Sequence, residues 1–228
     1  MISSIYKKSF SVLASKPLRL WGISLLSIFL SMAAHILFGV IPGAAIAIGL
    51  LLETSMTLIY LNGFLGQEVK TLQLFDCFRS WRTIGRVLGG MAWMLMWVLL
   101  WSLIPVAGIV FGIIKFYSYR LTPYILMKEP EVKATEAYKL SEQRTMGYKG
   151  KMFWADVLPV MAYIAAVLIL SAFSAIPYLG WLFALVLAVL VVAFAVFLPL
   201  FLGLVQSAFY VEIQKSLDPP AAGMGWYE

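Results

Sequence analysis

The sequence predicts an all-α, polytopic helical membrane protein: six transmembrane helices as three hairpin repeats, each preceded by an interfacial amphipathic helix. Three observations carry that expectation. The 228 residues are 62% hydrophobic and 12% charged, with a mean hydropathy of +0.92; soluble domains run at about 45–50% apolar and about 25% charged. The apolar surplus falls in six blocks, about 18–38, 42–64, 87–104, 106–127, 153–175 and 178–209, each near or above the roughly 20 residues that cross hydrocarbon. Finally, the connections alternate: those after the first, third and fifth blocks are short and uncharged, and those after the second and fourth are long and basic.

Each unit is expected to begin with a helix lying in the interface. Residues 2–13 set Ile2, Ile5, Val12 and Leu13 opposite Lys7 and Lys8. Residues 71–84 place Leu74, Phe75, Phe78 and Trp81 on one helical face, with Arg79 and Arg82 turned away from its centre. Residues 135–146 open at Thr135 as N-cap and stop at Gly147 as C-cap. The first apolar block offers Ser31-Met32-Ala33 as a signal-peptide site, but it follows a polar, amphipathic stretch and leads straight into another apolar block. It is expected to be a retained span.

The short turns share a signature: Ile41-Pro42-Gly43, Ile104-Pro105-Val106-Ala107-Gly108 and Ile176-Pro177-Tyr178-Leu179-Gly180. Proline preset at a helix start and glycine nearby suit a tight reversal between antiparallel spans. The prolines recur at intervals of 63 and 72 residues, which points to an internal repeat with units of about 1–65, 66–129 and 130–214 in a single membrane domain, 1–214. Residues 215–228 read as a flexible cytoplasmic tail. Pro123, Pro159 and Pro199 fall inside spans and are expected to kink them.

Cation placement sets the orientation. Lys7, Lys8, Lys16 and Arg19 precede the first block, and Lys70, Arg79, Arg82 and Arg86 separate the second from the third. Lys128, Lys133, Lys139, Arg144, Lys149 and Lys151 separate the fourth from the fifth, Lys215 follows the sixth, and Lys115 and Arg120 sit toward the cytoplasmic end of the fourth. By the positive-inside rule both termini are cytoplasmic in a multi-pass protein of the cell inner membrane. The expected partners are the lipid bilayer, anionic lipid headgroups at the basic loops, and another membrane protein. Nucleic acid is excluded, because the net charge of +6 is dispersed between apolar blocks.

Chemistry-bearing residues are few. Glu53 lies 12 positions after Ile41, about 18 Å along a helix, which is mid-membrane. Lys115 lies 11 positions after Ile104 in the corresponding span of the second unit, at nearly the same depth. A Glu53–Lys115 pair is the candidate intramembrane polar site, read either as an ion relay or as a structural pair. Thr54, Ser55 and Thr57 beside Glu53, and the small pairs Ala45/Gly49 and Ser27/Ser31, read as helix-packing groups. Trp93, Trp97 and Trp101 form one stripe of the third span. The single cysteine, Cys77, and the single histidine, His35, provide no disulfide framework and no ligand set, and Asp156 and Asp76 each stand alone in sequence. Without nucleotide, protease or hydrolase motifs the expectation is a non-enzyme with no cofactor, no metal and no catalytic residue.

Ile114-Lys115-Phe116-Tyr117-Ser118-Tyr119, then Pro123-Tyr124-Ile125-Leu126, Ala134-x-Glu136-Ala137-x-x-Leu140-Ser141, Met146-Gly147-x-Lys149 and Ala208-Phe209-Tyr210 occur in that order. This pattern resembles the uncharacterised bacterial integral-membrane family filed as domain of unknown function nine-seven-five, over less than half the chain. Phe111 stands where the family pattern carries proline. The resemblance implies a bacterial cytoplasmic-membrane protein and brings no activity or site residues.

Three functions are weighed, the third being a membrane enzyme acting on lipid; the first two lead. One is an accessory or scaffold component of a membrane complex; the other is a small transporter, or a substrate-binding transporter subunit, with a midplane site near Glu53. A dry, packed core would favour the first, and a polar cavity at Glu53 the second. For topology, Gly43→Cys, Ala107→Cys and Tyr178→Cys are expected to react with an impermeant maleimide in intact cells, while Arg82→Cys and Lys139→Cys stay shielded. The opposite pattern would reverse the orientation.

Overall fold

A computed structural model describes residues 1–15, 17–41, 43–105, 107–174 and 176–217, without the side chains at 17 and 18. Pro42, Lys16 and most of the expected tail (218–228) lie outside the described residues; residues 215–217 complete the last helix. The regular structure described is all helix. In order it comprises α1 (Ile2–Ser15), α2 (Pro17–Phe38), α3 (Ala44–Phe64), a 3-10 helix (Thr71–Phe78), α4 (Trp81–Ser102), α5 (Gly108–Ser118), α6 (Thr122–Lys128), α7 (Ala137–Arg144), α8 (Lys149–Ser174) and α9 (Gly180–Leu217). Five helices are long and apolar enough to cross a membrane: α2 over Arg19–Phe38, α3, α4, α8 and α9.

Three helix pairs, α2 with α3, α4 with α5 and α8 with α9, pack along one another. Two of their turns are built alike. Gly108 N–H donates to the Ile104 carbonyl and Gly180 N–H to the Ile176 carbonyl, both at 2.8 Å. A Cβ on Gly108 would sit 2.1 Å from the Ser102 carbonyl oxygen, and one on Gly180 2.0 Å from that of Ser174, so only glycine fits the reversal. The first turn differs: Gly43 takes φ +84° at the start of α3.

The core lies at the ends remote from these turns. Buried side chains run through Leu51–Phe64 of α3, Val87–Met94 of α4, Met152 and Ala155 of α8, and Leu200–Ile213 of α9. Toward the turns the helices expose Phe29, Ile36, Leu99, Ile109, Leu168 and Val189. α3 is the hub, touching α1, α2, α4, α6, α9 and the 3-10 helix.

The fourth apolar block does not form one helix. α5 stops at Ser118 and α6 restarts at Thr122, with Pro123 in its first turn. Proline has no N–H and its ring clashes with the carbonyl four residues back, so it suits a first turn and not a helix interior. The carbonyl four back is that of Tyr119, and it accepts from the Thr122 hydroxyl at 2.6 Å.

The helix leading the second hairpin also departs from expectation. Its 3-10 winding, three residues per turn, buries Leu74 and Cys77 instead of the Leu74/Phe78/Trp81 face of an α-helix. Trp81 is exposed and opens α4, whose N-cap Ser80 accepts from the Thr83 N–H at 3.1 Å. α1 forms over the expected stretch, buries Ile5 and Leu13, leaves Lys7 and Lys8 exposed, and sets Tyr6 and Phe10 against Phe201 of α9. α7 begins at Ala137 rather than at a Thr135 cap, and it docks on the bundle with Ala137, Tyr138 and Ser141 buried.

Pro159 stays inside α8, where its ring leaves the Ala155 carbonyl without a helical donor. Tyr6 supplies one, its hydroxyl donating to Ala155 at 2.6 Å. Burial, and after it the Asp156 charge, push the Tyr6 phenol above its usual range. A raised acid value means the bond's contribution is fully present below about pH 10 and lost as pH climbs through the folded value. Tyr6→Phe is expected to destabilise the protein by about 1 kcal/mol in a detergent melt, as for a typical buried hydrogen bond. In a Pro159→Ala background, where residue 159 again carries an N–H for Ala155, the same change should cost measurably less; equal losses in both backgrounds would dismiss the repair.

Candidate functional site

α2 and α3 face one another with two polar stripes. Ser24, Ser27 and Ser31 follow the helical repeat on α2, and Glu53, Thr57 and Tyr60 follow it on α3. Ser24 and Tyr60 hydroxyls bond at 3.2 Å where the stripes begin. α9 closes the third side with Pro199, Leu202, Gly203 and Gln206, enclosing a cleft of about 400 Å³. The Tyr60 ring lies against Gly203, where a Cβ would come within 2.2 Å of it.

Glu53 is exposed into this cleft although it lies mid-way along α3. Among the described residues its carboxylate makes no ion pair. Thr57 hydroxyl donates to the Glu53 carbonyl at 2.9 Å, and Gln206 Nε2 donates to the Arg120 carbonyl at 3.0 Å.

Gln206 joins the cleft to the broken fourth block. There, Ser141 hydroxyl donates to the Ser118 carbonyl at 2.8 Å and accepts the Leu121 N–H at 3.0 Å, while Thr145 hydroxyl donates to the same Ser118 carbonyl at 3.0 Å. α7 therefore caps the end of α5 and the start of α6 together. Arg86 finishes the other end, donating to the carbonyls of Leu126 at 2.9 Å and Glu129 at 2.7 Å.

Docking α7 redistributes the charges. The Glu53–Lys115 pair expected from equal depth does not form; Lys115 Nζ lies 2.6 Å from Glu142. The reason is lateral: Lys115 sits one turn before the break, and α7, tied there by Ser141 and Thr145, brings the neighbouring Glu142 beneath it. Lys115 also lies over Trp101, 4.7 Å from the ring centroid. The tryptophan stripe becomes part of this seat, with Trp97 stacked on Tyr138 of α7 at 6.0 Å. Asp156, alone in sequence, pairs with Arg120 and accepts from Tyr117 at 3.1 Å. Arg144 grips Glu129 with two bonds, one of them 2.9 Å.

Sequence reasoning singled out Glu53 but assigned Thr57 on α3, like Ser27 and Ser31 on α2, to packing. The signal was present in the serines at 24, 27 and 31, which match the spacing of residues 53, 57 and 60. His35 lies further along the same face of α2, its Nδ1 donating to the Ser31 carbonyl at 2.8 Å.

The Lys115–Glu142 side chains are 18% and 27% exposed, so the pair falls between exposed pairs worth about 1 kcal/mol or less and buried ones costing about 3–5 kcal/mol to break. Lys115→Met and Glu142→Gln are each expected to destabilise by about 2 kcal/mol, with the double change recovering part of the loss. Lys115→Met and Glu53→Gln should instead add to within about 0.5 kcal/mol, as independent sites do. Strong coupling in that second cycle would reinstate the Glu53–Lys115 pair.

Comparison with models of known families, with curated proteins and with solved structures finds no match.

Proposed function

We propose that this chain is a bacterial cytoplasmic-membrane protein that admits a small polar solute to the Glu53 cleft, acting as a small transporter or as the substrate-binding subunit of one. The observation that carries the proposal is Glu53 itself: an acid half-way along an apolar helix, turned into a polar cleft, with no ion pair among the described residues. An ionisable group at that depth is costly unless water or a counter-charge meets it, and such groups mark solute paths. Of the two functions left open by the sequence, the polar cavity favours this one.

The membrane arrangement belongs to the same proposal. Three hairpins make six crossings, the fourth supplied jointly by α5 and α6, with the termini and the basic segments cytoplasmic by the positive-inside rule. The resemblance to the bacterial membrane family and the matching turns at Gly108 and Gly180 support that layout. A discontinuous helix beside a midplane site is a recurrent transporter feature, tolerated because its loose backbone is buried in protein. One observation favours the accessory role instead: α8 and α9 near their turn expose Leu168, Phe173, Trp181 and Leu185, a surface that suits lipid or another membrane protein.

Cysteine modification separates the two. Burial pushes the native Cys77 thiol above its usual range, with the Ser55 hydrogen bond offsetting part of the rise and the Asp76 charge adding to it. Cys77 is therefore expected to stay protonated and silent toward thiol reagents at pH 7–8, up to its raised value. In that background Ser27→Cys and Ser31→Cys should react with a charged methanethiosulfonate applied outside intact cells, and Ile59→Cys, fully buried, should not. Reaction at Tyr178→Cys with none at positions 27 and 31 would mean a cleft closed to water, and the accessory role would replace transport.

A further inference from the structure

The cleft's chemistry also selects what can occupy it. We propose that it binds a small organic cation, an amine protonated at neutral pH, with the ammonium on the Glu53 carboxylate and its carbon body against Ile28, Met56 and Leu202. The proposal rests on the reading of the cleft as a solute site.

Charge is the first reason. Glu53 is the one formally charged residue lining the cleft. The acids nearest the break already have cations: Asp156 has Arg120, Glu142 has Lys115 and Glu129 has Arg144. The Arg120 charge reaches Glu53 but is already paired with Asp156, and an under-compensated carboxylate in a low-dielectric wall is disfavoured. A ligand that brings its own positive charge removes that cost, whereas an anion would add to it.

Hydrogen bonding gives the second reason, because some of the donors around the cleft are already engaged while its strongest acceptor is not. Thr57 spends its hydroxyl proton on the Glu53 carbonyl, and Gln206 spends one of its two amide protons on the Arg120 carbonyl. Ser24 and Tyr60 share a bond between their hydroxyls. What remains for a ligand is the Glu53 carboxylate, the Thr57 oxygen lone pairs and the Gln206 carbonyl oxygen as acceptors, with the Ser27 and Ser31 hydroxyls able to accept as well as donate. An ammonium offers three donors and no acceptor, which is the complement of that set.

Size excludes a bare divalent ion. A calcium site gathers six to eight oxygens, several from carboxylates, and among the described residues no group of three or more His, Cys, Asp or Glu exists. A volume of about 400 Å³ lies in the range of small-molecule pockets. The approach suits a cation as well. A second hollow, lined by Met32, His35 and Ile36, shares Ser27, Ile28 and Ser31 with the cleft and carries no Lys or Arg.

Matched probes test this in the full chain reconstituted in lipid nanodiscs: n-butylammonium, 1-butanol and butyrate, each titrated to millimolar levels at pH 7 with thermal stability as readout. Butylammonium is expected to raise the melting temperature saturably, by mass action on the folded state, while the alcohol and the acid do not. Glu53→Gln should weaken that response at least tenfold without lowering the ligand-free melting temperature, and Glu53→Asp should retain most of it. Gly49→Leu, which projects a side chain into open space at the cleft wall, should abolish it. A butylammonium response that survives Glu53→Gln, or no response at all, overturns the cation assignment. If butanol or butyrate binds and Gly49→Leu abolishes that binding, the cation class falls and the solute site stands. If no probe binds and Ser27→Cys and Ser31→Cys are unreactive, both readings fail.

Discussion

The backbone between Ser118 and Thr122 must find hydrogen-bond partners, and the rest of the structure depends on how it does. A peptide group left open in hydrocarbon costs several kcal/mol, and irregular backbone at that depth survives only inside protein. Ser141 answers twice, donating to the Ser118 carbonyl and accepting the Leu121 N–H. Because Ser141 belongs to α7, capping the break draws a polar helix into the bundle. Its flanking residues follow: Glu142 reaches Lys115, Arg144 reaches Glu129, and Tyr138 meets the Trp97 ring. From the other side Gln206 takes the Arg120 carbonyl, and that contact fixes one wall of the Glu53 cleft.

The molecule is consequently divided along its length. At the end carrying α1 and the last turns of α9, the least exposed charges are matched in pairs, and the helices bury their side chains against one another. Toward the turns the helices are apolar and open, and in lipid no hydrophobic force drives them together. The cleft sits where these regimes meet. Hydroxyls from α2 and α3 keep that junction polar, Pro199 lies in the α9 wall without breaking the helix, and Gly49 and Gly203 keep side chains out of it.

Much of this was legible in residues read along the chain. Apolar block length gave the long helices, and Ile-Pro with glycine gave the turns; the required closeness of Gly108 to Ser102 and of Gly180 to Ser174 explains the recurrence. The break was not legible, because Pro123, Pro159 and Pro199 look equivalent in sequence. They differ in tertiary partners: Pro159 keeps its helix where Tyr6 attends to Ala155, whereas Pro123 starts a new one beside Ser141 and Gln206. Depth along a span singles out Glu53 and Lys115 as polar positions, yet depth carries no lateral information and cannot name Glu142 as the partner of Lys115. The same limit hid Asp156 behind Arg120. Three-residue winding around Leu74 and Cys77 escaped notice because a short amphipathic stretch fits either helix type.

Amide hydrogen exchange at Leu121, in lipid nanodiscs, tests the keystone most directly. The Leu121 N–H points at Ser141 rather than at a helical carbonyl, so its protection reports the α7 cap alone. In the native chain it should exchange as slowly as the amides of Ile59 and Leu61 in buried α3, and Ser141→Ala should speed it by roughly tenfold or more, the equivalent of one lost hydrogen bond. Rapid exchange at Leu121 in the native chain, unchanged by Ser141→Ala, would mean that α7 does not hold the break.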